Sequence, residues 1–309
     1  MADPITVLGI FVADLAFRTP QLPAWGQTVL GEAYRLGPGG KGSNQAVAAA
    51  RLGARVRLMC RVGRDPFGDL ARATWRGDGI DTELCFDSAE AATGAAAIEV
   101  HPVTGEIAIV VVPGASSLLT TDDVDRAAGP IAASSVFVTQ LEVRVPVAVH
   151  ALRRAHEAGV PTILNAAPAL PLPLEAYPLC DYLTPNAVEA AGLAGVPVHD
   201  PAGAERAAGI LLERGCRNVV VTLGPRGALV RNARVTAHVP PFEAGPVVET
   251  TGAGDAFTGA LAVALTEGRE LVAATRFACA AAGISVTRHG TARAMPTRPE
   301  VEALLARGR

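Results

Sequence analysis

Apolar positions follow two rhythms along the chain. Short apolar runs bounded by Gly, Pro or Asn occur at Ile5 to Ile10, Val56 to Cys60, Val136 to Thr139, Thr162 to Leu164, Tyr182 to Thr184, Val219 to Thr222 and Ala228 to Arg231. Runs of that length read as strands buried on both faces. Helical spacing of apolar residues lies between them, at Asn44 to Leu52, Asp65 to Asp78, Pro146 to Glu157, Asn186 to Gly192, Pro201 to Arg214, Asp255 to Thr266 and Leu271 to Val286. Strands and helices in alternation predict an α/β fold, a doubly wound and mostly parallel sheet flanked by helices. Two stretches differ in kind, Trp25 to Leu36 and Gly94 to Val112. In both, apolar and polar positions mix as in strands with one wet face, and His101 to Gly105 reads as the turn between Ala97–Val100 and Ile107–Val112. They predict a small sheet apart from the main domain.

Composition narrows the classes. Half of the 309 residues are hydrophobic, so the chain can bury a large core. A net charge of −3 and scattered arginines give no basic stripe, which argues against a nucleic-acid partner. No stretch forms an unbroken apolar span, and Asp3 and Asp14 interrupt the start of the chain, so neither export nor membrane anchoring is expected. The five cysteines Cys60, Cys85, Cys180, Cys216 and Cys279 are widely spaced without C-x-x-C pairs, as expected of reduced core thiols in a cytoplasmic protein.

The chemistry centres on Thr250-Thr251-Gly252-Ala253-Gly254-Asp255-Ala256-Phe257, small residues and one carboxylate where a helix is expected to start. Free amides of Ala253, Gly254 and Asp255 together with the helix dipole would make an anion site there. Asp255 has two readings: a residue that caps those amides, or a general base beside a bound phosphoryl group. A second glycine-rich segment, Gly37 to Ala46, leads into a helix. It matches G-x-G-x-x-G through Gly37, Gly39 and Gly42, but no buried parallel strand precedes it and it lies outside the first β-turn-α unit, so a dinucleotide fingerprint is rejected. Gly42 after Lys41 excludes a Walker A loop. Lys41 is the only lysine among the 27 Lys and Arg residues, which suggests a position that needs a compact ammonium. The strand ends Gln140-Leu141-Glu142, Asn165 to Pro168, Thr184 to Asn186 and Thr222 to Gly227 should converge on one crevice with Asp255.

Gly39-Gly40-Lys41-Gly42-Ser43-Asn44-Gln45-Ala46 is similar to the first signature of the ribokinase or PfkB-type carbohydrate kinase family, and Glu249 to Phe257 to the second. The chain resembles that family over nearly its whole length. The resemblance implies a ribokinase-like fold, with residues 1–12, 38–93 and 113–309 as the catalytic domain and 13–37 and 94–112 as a β lid that covers a small sugar and makes a homodimer contact. It implies ATP and Mg²⁺, Asp255 as general base for the sugar's primary hydroxyl, and Gly252, Ala253 and Gly254 as the anion hole. Asp14, Gly39, Gly40, Lys41, Asn44 and Glu142 would hold the sugar. Asn186, Thr222, Gly224, Arg226, Gly227 and Cys279 would face ATP. A monovalent-cation site, for K⁺, would fall on Glu249, Thr251, Ser285, Arg288 and Gly290.

Three positions depart from the family pattern. Val12 stands where an Asn is usual two residues before the sugar-binding Asp14, Glu249 where an Asp is usual, and Ala294 where a Ser is usual. The first bears on ribose as substrate and the others on activation by K⁺. Three functions are therefore weighed: a kinase for ribose or a related pentose, with 2-deoxyribose or a ketose as variants; a nucleoside kinase on the same scaffold, disfavoured because aromatics are only 4% of the chain; and a non-catalytic sugar-binding module, disfavoured by Asp255 and its glycines.

Overall fold

The computed structural model describes residues 3–103 and 107–308, so Thr104 and Gly105 of the expected turn lie outside the described residues. The main sheet has nine strands: β1 (Ile5–Leu8), β4 (Val56–Gly63), β5 (Cys85–Ser88), β8 (Val136–Gln140), β9 (Thr162–Asn165), β10 (Tyr182–Leu183), β11 (Asn218–Thr222), β12 (Ala228–Asn232) and β13 (Thr236–Val239). A separate four-stranded sheet holds β2 (Val12–Arg18), β3 (Ala33–Gly39), β6 (Thr93–Val100) and β7 (Ile107–Gly114). The helices are α1 (Lys41–Arg51), α2 (Pro66–Gly77), α3 (Thr121–Arg126), α4 (Ala128–Ala132), α5 (Val145–Glu157), α6 (Ala187–Ala194), α7 (Pro201–Glu213), α8 (Ala253–Thr266), α9 (Leu271–Ser285) and α10 (Arg298–Ala306).

The main sheet runs β13-β12-β11-β10-β9-β8-β1-β4-β5, parallel except where β12 pairs β11 and β13. Side chains alternate across the strands, and each set has its own core. Ile5, Val7, Val136, Val138, Ile163 and Val220 pack with α1, α2, α8, α9 and α10, whereas Leu8, Phe137, Leu164, Val219 and Val221 pack with α3 to α7. Each such Val, Leu or Ile contributes about 1.5–3 kcal/mol on burial, so the strand ends above these cores are fixed in place. β1 lies between β8 and β4, and the chain winds outward from it in both directions. That is the switch point at which an open α/β sheet forms a crevice at its carboxyl ends.

Several expected elements shift. α1 begins at Lys41 rather than Asn44, because Gly40 caps it with a φ of 87°, where a Cβ would also sit 2.5 Å from the Ile10 carbonyl oxygen. Trp25 to Leu36 was expected as strand, yet only Ala33 onward pairs; residues 20–32 form a loop with Trp25 and Leu30 exposed. An apolar alternation without a partner strand holds no ladder. Strand β5 and helices α3, α4 and α10 appear where no element was expected.

Candidate active site

α8 begins with Gly252 as its cap, at φ 84°, and Asp255 does not cap it. The carboxylate turns instead toward α1, where Asn44 Nδ2 donates to Oδ2 at 2.9 Å and Gln45 Nε2 donates to Oδ1 at 3.1 Å. This approach depends on Gly259: a Cβ there would lie 2.7 Å from both Ala48 Cβ and the Gln45 carbonyl oxygen, so the two helices cross with nothing between them. The expectation of three free amides is corrected as well. Ala253 N–H donates to the Thr250 carbonyl at 3.2 Å and Asp255 N–H to the Gly252 carbonyl at 3.0 Å. Gly254 N–H has no such backbone partner among the described residues, and a Cβ on Gly254 would meet nothing within 4 Å. The open face of the turn therefore belongs to Gly254.

A cavity of about 290 Å³ lies over this turn. Lys41, Asn165, Asn186, Glu189, Thr222, Thr251, Gly252, Gly254 and Asp255 line it. Asn186 caps α6 in a capping box: its side chain accepts from Glu189 N–H, and Glu189 Oε2 accepts from Asn186 N–H at 2.8 Å. Glu189 escaped the sequence reading, although the box spacing from Asn186 marks it. Asn186 and Thr222 form a bridge between the two loops.

The site is rich in carboxylates. Asp255 and Glu189 are pushed above the usual range by burial. Burial also holds Glu142 at about 7 and Asp14 at about 6, with Asp255 adding like-charge repulsion to both. Lys41 faces all four; burial alone would lower its pKa, but Asp255, Glu142, Glu189 and Asp14 together raise it. Its backbone N–H also donates to Glu142 Oε2 at 2.8 Å. One ammonium thus stands among four carboxylates.

Asp14 reaches the site from β2, where its Oδ2 accepts from Thr291 Oγ1 at 2.9 Å, and its carboxylate fills the space that a Cβ on Gly39 would need. Val12 shares that face of β2 but is 3% exposed within the apolar core. Gln45, Gln140 and Asn165 join the site through hydrogen bonds that the sequence reading did not assign. Polar residues at strand ends were the available signal.

Asp14, Gly39, Gly40, Asn44, Glu142 and Ala253 do not line the cavity, and of the residues expected at the nucleotide and at K⁺ only Asn186, Thr222 and Thr251 do. Gly224, Arg226 and Gly227 form a turn after β11, in which the Arg226 guanidinium donates to the His199 carbonyl. Cys279 packs in the core with its thiol pushed up to about 12 by burial. The residues assigned to K⁺ do not assemble as side-chain ligands. Glu249 Oε2 accepts from Arg35 Nη2 at 3.2 Å and from Gly290 N–H at 3.0 Å, Ser285 donates back to the Ala282 carbonyl, and Arg288 pairs with Glu300. Thr251 stays on the cavity wall.

The fold and site define a carbohydrate kinase architecture, and the comparisons agree. Residues 2–298 match the pfkB family carbohydrate kinase profile, and the chain belongs to that family. It is 42% identical over 264 residues to a ribokinase from Mus musculus, covering 84% of this chain and 81% of that one. It is 36% identical over 294 residues to a deoxyribokinase from Salmonella typhi, covering 95% of both. The structure of Arabidopsis thaliana ribokinase complexed with ribose and ATP superposes with a TM-score of 0.91 at 30% identity, covering 99% of each chain. Among the described residues no helix is long and apolar enough to cross a membrane.

Proposed function

We propose that this chain transfers the γ-phosphoryl group of ATP to the primary hydroxyl of a small sugar, ribose or a related pentose. The observation that carries the reading is the pairing of Asp255 with the Gly254 turn. A buried carboxylate, oriented by two amide donors and not used as a cap, sits beside an open helix N-terminus that suits a phosphoryl group. Asp255 takes the proton of the attacking hydroxyl, and the open Gly254 amide at the start of α8 receives the charge of the group in transfer. Lys41 balances the carboxylates around the reacting oxygen. The Asn44 side-chain oxygen is buried without a hydrogen bond among the described residues, an acceptor that a sugar hydroxyl satisfies. Asp14, Glu142 and the Gly39–Gly40 backbone complete the sugar side, while Asn186 and Thr222 line the ATP side.

The donor set of the cavity fits Mg²⁺ brought in with ATP: Glu189 presents a buried carboxylate to the cavity, and Asn186 stands next to it. The ion would be held there and would offset phosphate charge. Val12 favours a refinement of the sugar. An apolar wall two residues before Asp14 suits a sugar without a hydroxyl at that point, as in 2-deoxyribose, or with it turned away. An ATP-consumption assay over ribose, 2-deoxyribose, fructose and a nucleoside tests the reading; turnover with none of the sugars defeats it.

The four-stranded sheet serves in this reading as the lid over the sugar, in a cytoplasmic homodimer. By strand register, Phe17, Tyr34, Leu36, Val110 and Val112 share one face of it, with Tyr34 70% and Val110 64% exposed. An exposed, largely apolar face of that kind, interrupted by Glu99, marks an interaction surface. Val110→Lys should convert a dimer to monomer in light scattering; an unchanged mass would remove the lid from the contact.

A further inference from the structure

The amide groups behind Asp255 form a directed chain. Gln140 Nε2, at the end of β8, donates to Gln45 Oε1 at 2.6 Å. Gln45 Nε2 then donates twice, to Asp255 Oδ1 and to Asn165 Oδ1, both at 3.1 Å, and Asn165 Nδ2 donates to the Thr184 carbonyl at 2.9 Å. Gln45 thus uses both amide protons and accepts one hydrogen bond. Gln45 and Gln140 are fully buried, so water does not substitute for a lost partner of either, whereas Asn165 also borders the cavity. A primary amide can turn over about its last torsion and exchange its oxygen for its nitrogen. A turned Gln45 would aim an oxygen at the Asp255 carboxylate. The Asp255 and Asn165 oxygens oppose that, and the hydrogen bond from Gln140 adds to them, because a turned Gln45 would also bring nitrogen against nitrogen; the Gln140 oxygen itself has no hydrogen-bond partner among the described residues.

We infer that Gln140 is a positioning residue for phosphoryl transfer, which acts through Gln45 to keep an N–H donor on the Asp255 carboxylate. The inference rests on the reading of Asp255 as general base. Gln140 touches neither the cavity wall nor Asp255 itself, so its effect should appear in turnover and not in binding. Losing the Gln45 donor removes a hydrogen bond to the ionised form, and ionised Asp255 then persists only at higher pH. The charged groups facing Asp255 are Lys41 on α1, Asp14 on β2, Glu142 after β8 and Glu189 on α6, and none is altered by replacing Gln140.

The test is Gln140→Met, similar in shape and without a donor, assayed beside Asp255→Asn. Turnover should fall about tenfold with the KM values for sugar and ATP within about twofold, and the acid limb of the kcat profile should move up by about half a unit to one unit. A second variant, Gln140→Glu, donates to Gln45 only while protonated, so its kcat should fall on the alkaline side where the parent is flat. That variant decides the matter if Gln140→Met does not fold. Unchanged kcat and pH profiles in the folded variants, with Asp255→Asn inactive, overturn the role of Gln140 alone. Near-normal turnover in Asp255→Asn would instead overturn the reading of the base.

Discussion

The two sheets differ in how they are supported. Every residue of β1 and β8 is buried, with helices on both faces of the main sheet, so Gln140 and the loops above these strands rest on a packed floor. The small sheet has four strands and leaves Phe17, Tyr34 and Val110 on an open face, with Phe17 and Tyr34 stacked at 6.3 Å. The groups proposed to meet a reacting atom, Asp255 and Lys41, stand on helices packed against the main sheet. The small sheet contributes Asp14, its Val12, Ala96 and Ile98 are buried in the apolar core, and the contacts of Thr291 to Asp14 and Arg35 to Glu249 tie it further to the rest. Mutations in the first region should therefore act on turnover, and mutations in the second on recognition.

The largest effect belongs to Asp255→Asn. Sugar and ATP binding should stay within about a few-fold while kcat falls by about two to four orders of magnitude, as for a lost general base. Single-turnover kinetics would check it, and near-normal turnover would leave Asp255 a structural residue. Lys41→Arg comes next. The ammonium sits among four carboxylates at the first turn of α1, and a planar guanidinium cannot present the same compact charge to them, so kcat/KM should drop by about tenfold or more although the charge is kept. Unaltered kinetics would make the single lysine an accident of composition.

On the small sheet, Val12→Asn should leave kcat for the best sugar nearly unchanged and move the ratio of kcat/KM for ribose over 2-deoxyribose by about tenfold, the equivalent of one restored hydrogen bond. A wild type that already prefers ribose, with a ratio unmoved by the substitution, would deny Val12 any part in choosing the sugar.

The smallest effect is on stability. Burial holds Asp14 at about 6 and Glu142 at about 7, above their ordinary values of 3.8 and 4.5. The folded protein thus binds more protons than the unfolded chain in this window, and the contribution, full below the unfolded values, is lost as pH rises toward about 7. Carboxylates held low by partners, such as Glu300 at about 2, act in the opposite sense only at lower pH. The melting temperature of the sugar-free protein should fall by about a few degrees between roughly pH 5 and 7, and Glu142→Gln should flatten that slope. A melting temperature that rises over the same range would mean that the acidic groups of the site are not desolvated as described.

Local pattern sufficed for much of this. The alternation of buried runs and helical spacing placed the inner strands and most of the long helices within a few residues, since burial on two faces and the 3.6-residue period are written in consecutive positions. Gly252 to Asp255 and Gly40 to Asn44 stood out because a helix start beside small residues has a local signature. Other features had no local trace. Trp25 and Leu30 alternate as a strand would, but pairing depends on a partner elsewhere in the chain. Gln45 meets Asp255 across 210 positions and Gln140 across 95, while Thr291 meets Asp14 across 277. Residue type announced that these side chains can hydrogen-bond; only the order of strands around β1 and the close crossing of α1 and α8 at Gly259 decided which of them touch, because a directional bond needs both ends fixed within a few tenths of an ångström and that is a property of packing.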